Sequence, residues 1–189
     1  MIKFLCYLAH KFWWIPWSNF RYKKVERYYR FINAEDRAFS IPQIKSLAER
    51  MYGRFNYTPD GADKLWDAVC PPPYAYCQFK VGLKFADDCD GFHSLMYHCL
   101  NTEITKPYLM TVYAKGSAHC VLVFYFDFRW FVLDYTTLYE GFVDIKEAIK
   151  NYNEEFVKKY KAKSKVRSNL FLQYDYTKGK FKLVKPSKK

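Results

Sequence analysis

Ile41, Ile44, Leu47, Ala48, Met51, Tyr52 and Phe55 recur at steps of three and four, the spacing of one helical face. Ahead of them, Ser40-Ile-Pro-Gln43 has the form of a capping box with proline in the first turn. Together they predict a helix over about 41–54. A second helix is predicted from Cys89 to about Leu100, capped by Asp88, with Phe92, Leu95, Met96, Cys99 and Leu100 turned inward. The stretch 56–86 between them has no period. Pro59-Asp-Gly61 and the prolines at 71–73 mark turns, with room for a short helix near 62–69. Tyr108–Ala114, Ala118–Asp127 and Arg129–Tyr135 are short runs rich in Val, Tyr, Phe and Leu. They read as antiparallel strands, with a tight turn at Asp127-Phe128. Helical spacing returns over about 142–162, where Ile145, Ala148, Ile149, Tyr152, Phe156 and Tyr160 share a face. Leu170–Tyr176 and Lys180–Val184 close as a hairpin about Lys178-Gly179. Helices first and a strand meander after them predict an α+β domain.

Composition narrows the class. A chain of 189 residues with 5 Trp, 18 Tyr and 17 Phe suits one domain and excludes disorder. We divide it into a basic, aromatic-rich segment 1–40, a folded domain 41–184 and a basic tail 185–189. No run of 18 uncharged apolar residues predicts a membrane span, and His10 and Lys11 break the N-terminal apolar run without a small-residue cleavage site after it. The six cysteines form no CxxC pair and no zinc-like spacing, so free thiols and a cytoplasmic location are expected.

The net charge of +12 is unevenly placed. Residues 1–30 carry seven Lys/Arg against Glu26, and residues 158–189 carry twelve against Asp175, whereas the centre is net acidic. Basic ends suit nucleic acid or an anionic membrane. Trp13, Trp14 and Trp17 resemble an interfacial segment, although an aromatic strap packed on the domain is the simpler expectation. Phe171, Tyr174, Tyr176 and Phe181 among lysines offer a base-stacking mixture, or the ordinary solvated face of a half-buried hairpin.

One segment concentrates chemistry. Asp87-Asp-Cys-Asp-Gly-Phe92 puts Cys89 in the first turn of a helix, where free N–H groups and the helix dipole favour a thiolate nucleophile. His119 opens one predicted strand and Asp134 ends the next. Pairing about the intervening turn sets 119 near 137, and a small bulge or offset would bring His119 and Asp134 together. Cys89, His119 and Asp134 would then be nucleophile, base and orienting acid. His93, one turn beyond Cys89, is the rival base but lacks a readable acid partner. Cys99 and Cys120 read as core.

In order, Asp88-Cys-Asp-Gly-Phe92, Ala118-His-Cys-Val-Leu-Val-Phe124 and Trp130-Phe-Val-Leu-Asp-Tyr-Thr136 resemble the three signature blocks of the transglutaminase-like branch of the papain-like cysteine enzymes. The likeness is closest in style to bacterial transglutaminase-like cysteine proteinases and spans about 41–140; Asp87 stands where the family often has Gly. It implies a papain-like single domain, with the nucleophile helix packed on an antiparallel sheet. It implies that Cys89 attacks an amide carbonyl, that His119 holds the thiolate and protonates the leaving amine, and that Asp134 fixes the imidazole tautomer. The Cys89 N–H would supply part of an oxyanion hole, with Gln78 or Tyr76 as the second donor. No organic cofactor is implied. Some relatives bind calcium beside the nucleophile, where this chain has Asp88 and Asp90; the simpler expectation is a helix cap and a dipole partner. The implied activity is a cysteine hydrolase acting on peptide or isopeptide bonds of a protein or peptide substrate. Acyl transfer or deamidation would use the same triad. The competing class is a non-catalytic nucleic-acid or membrane-binding protein.

Overall fold

The computed structural model describes residues 8, 10–21, 34–58, 69–80, 85–100, 105–115 and 117–186. A π-helical stretch, His10–Trp14, runs into helix α1, Ile15–Arg21. Helix α2, Ile41–Tyr52, starts as the capping box predicts. Ser40 is extended and accepts the Gln43 N–H at 3.4 Å, while Gln43 Oε1 takes the Phe39 N–H at 2.9 Å. Ile44, Leu47, Ala48 and Met51 are buried. The helix ends two residues earlier than expected, because Phe55 already belongs to strand β1, Phe55–Tyr57, which pairs in parallel with β2, Phe85–Asp87.

The prolines at 71–73 do not simply break the chain. Pro72 and Pro73 are the first two residues of helix α3, Pro72–Lys80, and Pro71 O accepts from Tyr74 and Ala75 at 3.0 Å. Proline costs nothing in a first turn, where its missing N–H would have had no helical partner. The short helix expected near 62–69 and the Pro59-Asp-Gly61 turn fall outside the described residues, save Val69. Helix α4, Cys89–Leu100, forms as predicted and is buried from Asp90 onward.

Six strands come next in the chain: β3, Lys106–Ala114; β4, Ser117–Phe126; β5, Arg129–Asp134; β6, Thr137–Phe142; β7, Ser168–Asp175; and β8, Lys180–Val184. Helix α5, Ile145–Lys159, crosses between β6 and β7. The strands form one antiparallel sheet in the order β6-β5-β4-β3-β7-β8. The chain is therefore α+β, with five α-helices among the described residues. Strand β6 was not predicted: its Thr-Leu-Tyr-Glu-Gly-Phe sequence is half exposed at a sheet edge and carries little apolar signal.

Alternation along the strands sorts the core into two layers. Leu109, Cys120, Leu122, Phe124, Phe131, Leu133 and Leu172 face α2, α3 and α4, whereas Met110, Val112, Val121, Val123, Trp130 and Val132 meet Ala148, Tyr152 and Phe156 of α5. Cys99 and Cys120 are buried, as their positions suggested. Ahead of α2, the fully buried Asp36 carboxylate accepts from Arg50 at 3.0 Å, Tyr76 at 2.8 Å and Lys80 at 3.1 Å, tying α2 to α3. Burial alone would raise its pKa, but Tyr76, Lys80 and Arg50 together hold it below the usual carboxylate range.

Helix α1 lies against β8, with Ile15 buried in the first layer, while Phe12, Trp13 and Phe20 stay exposed. Among the described residues, no helix is long and apolar enough to cross a membrane.

Candidate active site

Strand β4 outruns β5. Its hydrogen-bonded register with β5 ends at Leu122↔Leu133, so its first residues lie beyond the end of that partner. The turn between the two strands has only two residues, Asp127 and Phe128, both at positive φ. That is one residue tighter than a pairing of 119 with 137 requires. Extending the register puts Asp134 opposite Val121, so His119 is its diagonal neighbour on the same face, within side-chain reach. No bulge between β4 and β5 is needed. His119 Nε2 lies 2.9 Å from Asp134 Oδ1, with both side chains buried.

The Asp134 carboxylate is crowded with donors, mainly from α5. Tyr152 donates at 3.2 Å, Lys159 at 2.8 Å and the Tyr160 hydroxyl at 3.0 Å, in addition to His119. Burial pushes its pKa up, but the His119 hydrogen bond and charge, then His93 and Lys159, outweigh this and hold it well below the carboxylate range. An ionised carboxylate only accepts, so it fixes the imidazole proton on Nε2 and leaves Nδ1 as the basic nitrogen. Phe156 and Tyr160 flank the ring, with centroids 6.3 Å and 4.6 Å from it. The helical period placed Tyr152, Phe156 and Tyr160 on one inward face. Nothing in the sequence signalled that Lys159 would reach the same carboxylate.

Cys89 comes from the other side of the sheet and meets β4 beside His119. The Cys120 N–H points at its sulfur at 3.3 Å, and no hydrogen bond joins that sulfur to the imidazole. Burial raises the thiol pKa well above its ordinary value. Asp88 and Asp90 add to this, and the Cys120 N–H opposes it. The helix N-terminus does not by itself make Cys89 a thiolate, because Asp88 Oδ1 caps the first turn through the Asp90 N–H at 3.0 Å.

His93 is not a second base. Its Nδ1 hydrogen-bonds the Cys89 carbonyl and its Nε2 accepts the Tyr135 N–H at 3.0 Å. Both nitrogens are therefore committed in the neutral ring, and burial, assisted by the charge of His119, brings its pKa down to about 4. The ring clips the first turn of α4 to the loop after Asp134, where Tyr135 adopts φ +53°. Sequence spacing marked His93 as lying on the Cys89 face; its use as a structural link appears only in three dimensions.

No family model and no curated protein matches the chain. The support for chemistry at this site is therefore the geometry of its own contacts.

The oxyanion-hole expectation changes. Tyr76 donates to Asp36, and its ring lies 5.1 Å from that of His98. His98 is nine residues along α4 from Cys89, about 13 Å at helical rise. The start of the α3 segment, by contrast, meets the start of α4, where the Cys70 N–H donates to Asp90 at 2.6 Å. The two helices thus run in the same sense, and Gln78 lies further from the thiol than Tyr76 does. Neither residue is placed to complete an oxyanion hole. Asp87, Asp88 and Asp90 hold carboxylate oxygens within 4.8 Å of one another, but each already accepts a backbone N–H, from Asp88, Asp90 and Cys70 in turn. Calcium needs about six to eight oxygens. The role these hydrogen bonds show for the three carboxylates is holding the turn, as the cap expected of Asp88 does.

Asp87 fits its place because of Gly91. A Cβ on residue 91 would stand 2.3–2.5 Å from the Asp87 side chain, from Oδ2 back to its Cβ. Gly91→Ala is expected to cost about 1–2 kcal/mol after the gain in helix propensity, because the whole Asp87 side chain must move. Asp87→Gly in the same chain should restore stability. Urea unfolding of the two single variants and the double variant measures this, and additive losses would refute the contact.

Proposed function

We propose that the chain is a transglutaminase-like thiol hydrolase in which Cys89 attacks an amide carbonyl. The observation that carries this reading is the His119 Nε2–Asp134 Oδ1 pair at 2.9 Å, with the Cys89 sulfur against the Cys120 amide next along the same strand. Because the thiol is held neutral, His119 Nδ1 takes its proton as sulfur bonds to carbonyl carbon. The imidazolium is stabilised by Asp134 and returns that proton to the leaving nitrogen as the C–N bond breaks. Water then adds to the thioester, losing a proton to His119, and the carboxylic product leaves as the thiol is restored. An amine in place of water would give acyl transfer, and a glutamine side chain as first substrate would give deamidation. The cap takes the Asp90 N–H and leaves that of Cys89 to face the developing oxyanion. The fold supports the papain-like reading in its coarse form: a nucleophile helix packed on an antiparallel sheet that carries base and acid.

Alkylation by iodoacetamide tests the reading. Cys89 is expected to label faster than the half-buried Cys77 at neutral pH, and His119→Ala should slow it at least tenfold. Because the thiol pKa is raised, the rate should climb with pH through neutrality instead of levelling off in acid. Peptide mapping of the labelled cysteines reads both. Equal, slow labelling of all cysteines, indifferent to His119, would end the proposal.

A further inference from the structure

The segment His10–Arg21 buries one apolar side chain and exposes others. Ile15 turns into the core beside Phe181 and Leu183 of β8. Phe12, Pro16 and Phe20, at intervals of four, all face solvent; Phe12 is 66% and Phe20 73% exposed, and the neighbouring Trp13 is 48% exposed. A helix lying on a domain ordinarily turns a polar face outward. Here large rings stand exposed beside Lys11, in a segment whose sequence, over residues 1–30, has seven Lys/Arg against one Glu.

The fold also sets α1 against the basic C-terminal strand. Among the described residues β8 is the last strand of the sheet, and Lys178, Lys180, Lys182 and Lys185, on it or flanking it, are all exposed. Lys180 and Lys182 alternate with Phe181 and Leu183, so the ammonium groups leave the opposite face of the strand on which α1 rests. One edge of the molecule thus combines protruding rings with lysines. We propose that this edge, α1 with β8, docks on an anionic membrane surface. Phe12 and Phe20 enter the boundary between headgroups and acyl chains while the lysines meet lipid phosphates and carboxylates.

The same residues argue against nucleic acid. The hairpin aromatics Phe171, Tyr174 and Phe181 are buried in the two core layers and present no face on which a base can stack. The sheet order also separates the docking edge from the chemistry: β8 lies beyond β3 and β7 from β4, which carries His119. Docking at β8 therefore leaves the His119 strand uninvolved, and the inference does not depend on the thiol being catalytic.

Co-sedimentation of the full chain with vesicles tests it. Vesicles of phosphatidylcholine with about 30% phosphatidylserine should retain the protein at least tenfold better than pure phosphatidylcholine, and raising salt from about 0.05 M to 0.5 M should weaken retention. Phe12→Ser with Phe20→Ser should reduce it about tenfold at both salt levels. Lys180→Glu with Lys182→Glu should reduce it at low salt only. All four positions are exposed, so circular dichroism melting should be unchanged. Equal retention by both vesicle types would overturn the proposal. So would retention that ignores the two phenylalanines, or a vesicle-independent dimer that the phenylalanine variant dissolves.

Discussion

Asp134→Asn should slow Cys89 alkylation about a hundredfold and destabilise the protein by about 2–4 kcal/mol. The carboxylate accepts from His119, Tyr152, Lys159 and Tyr160, and an amide can replace only half of that capacity. If the amide oxygen faces His119, its NH2 group confronts the Lys159 ammonium. If it turns the other way, the amide donates to Nε2 and drives the imidazole proton onto Nδ1, the nitrogen that acts as base in the proposed reaction. The stability figure sits below that for breaking a fully buried pair because the Lys159 side chain is 40% exposed and can return to water. The pH dependence has a definite sign. A carboxylate whose folded pKa is depressed stabilises the fold fully above its ordinary value of about 4, and that contribution fades as the pH falls towards the folded value. Urea titrations at pH 7 and pH 3 should therefore show the wild-type advantage shrinking in acid. A constant difference would mean that Asp134 acts only through packing.

Asp36→Ala should give a stability loss of about 2–4 kcal/mol, or about 5–15 °C in melting temperature, without touching the thiol. Its removal takes a buried acceptor from the Tyr76 hydroxyl and leaves Arg50 and Lys80 with their bonds to Glu35. Asp36 lies near the end of α4 remote from Cys89, since Tyr76 bridges it to the neighbourhood of His98. Thermal melts read the loss, and Cys89 alkylation of the folded variant should stay within about twofold of wild type. A large fall in that rate would show that the two ends of α4 are coupled. Here too the advantage of the carboxylate should hold above about pH 4 and decline below it.

How much of the molecule is legible in the sequence depends on the range of each interaction. Local signals read well: the Ser40–Gln43 cap, the Asp88 cap and the Asp127-Phe128 turn are written within four residues of where they act. The α3 helix escapes because prolines break helices as readily as they start them, and which of the two they do at 71–73 depends on the residues after them. Strand β6 escapes because an edge strand needs little apolar alternation. Strand order alone brings His119 and Asp134 near each other, but their actual contact depends on a one-residue difference in turn length. Lys159, Tyr152 and the double use of His93 are beyond reach, since each joins elements that only the finished fold brings together. The oxyanion candidates fail for the same reason: Tyr76 and Gln78 precede Cys89 closely in sequence, yet they ride a helix that carries them towards the wrong end of α4.

The donors crowded around Asp134 also set an order of assembly. His119 and Asp134 are only fifteen positions apart and lie on neighbouring strands of a hairpin, so this is among the shorter loops the chain closes. Lys159 and Tyr160 arrive some twenty-five positions later, at the end of a helix that must first cross the sheet. On the ribosome, the dyad can meet while still wet, with an unclamped carboxylate. Its dry, positively braced setting exists only once α5 has docked, so synthesis has to run well past Asp134 before the imidazole acquires its final surroundings.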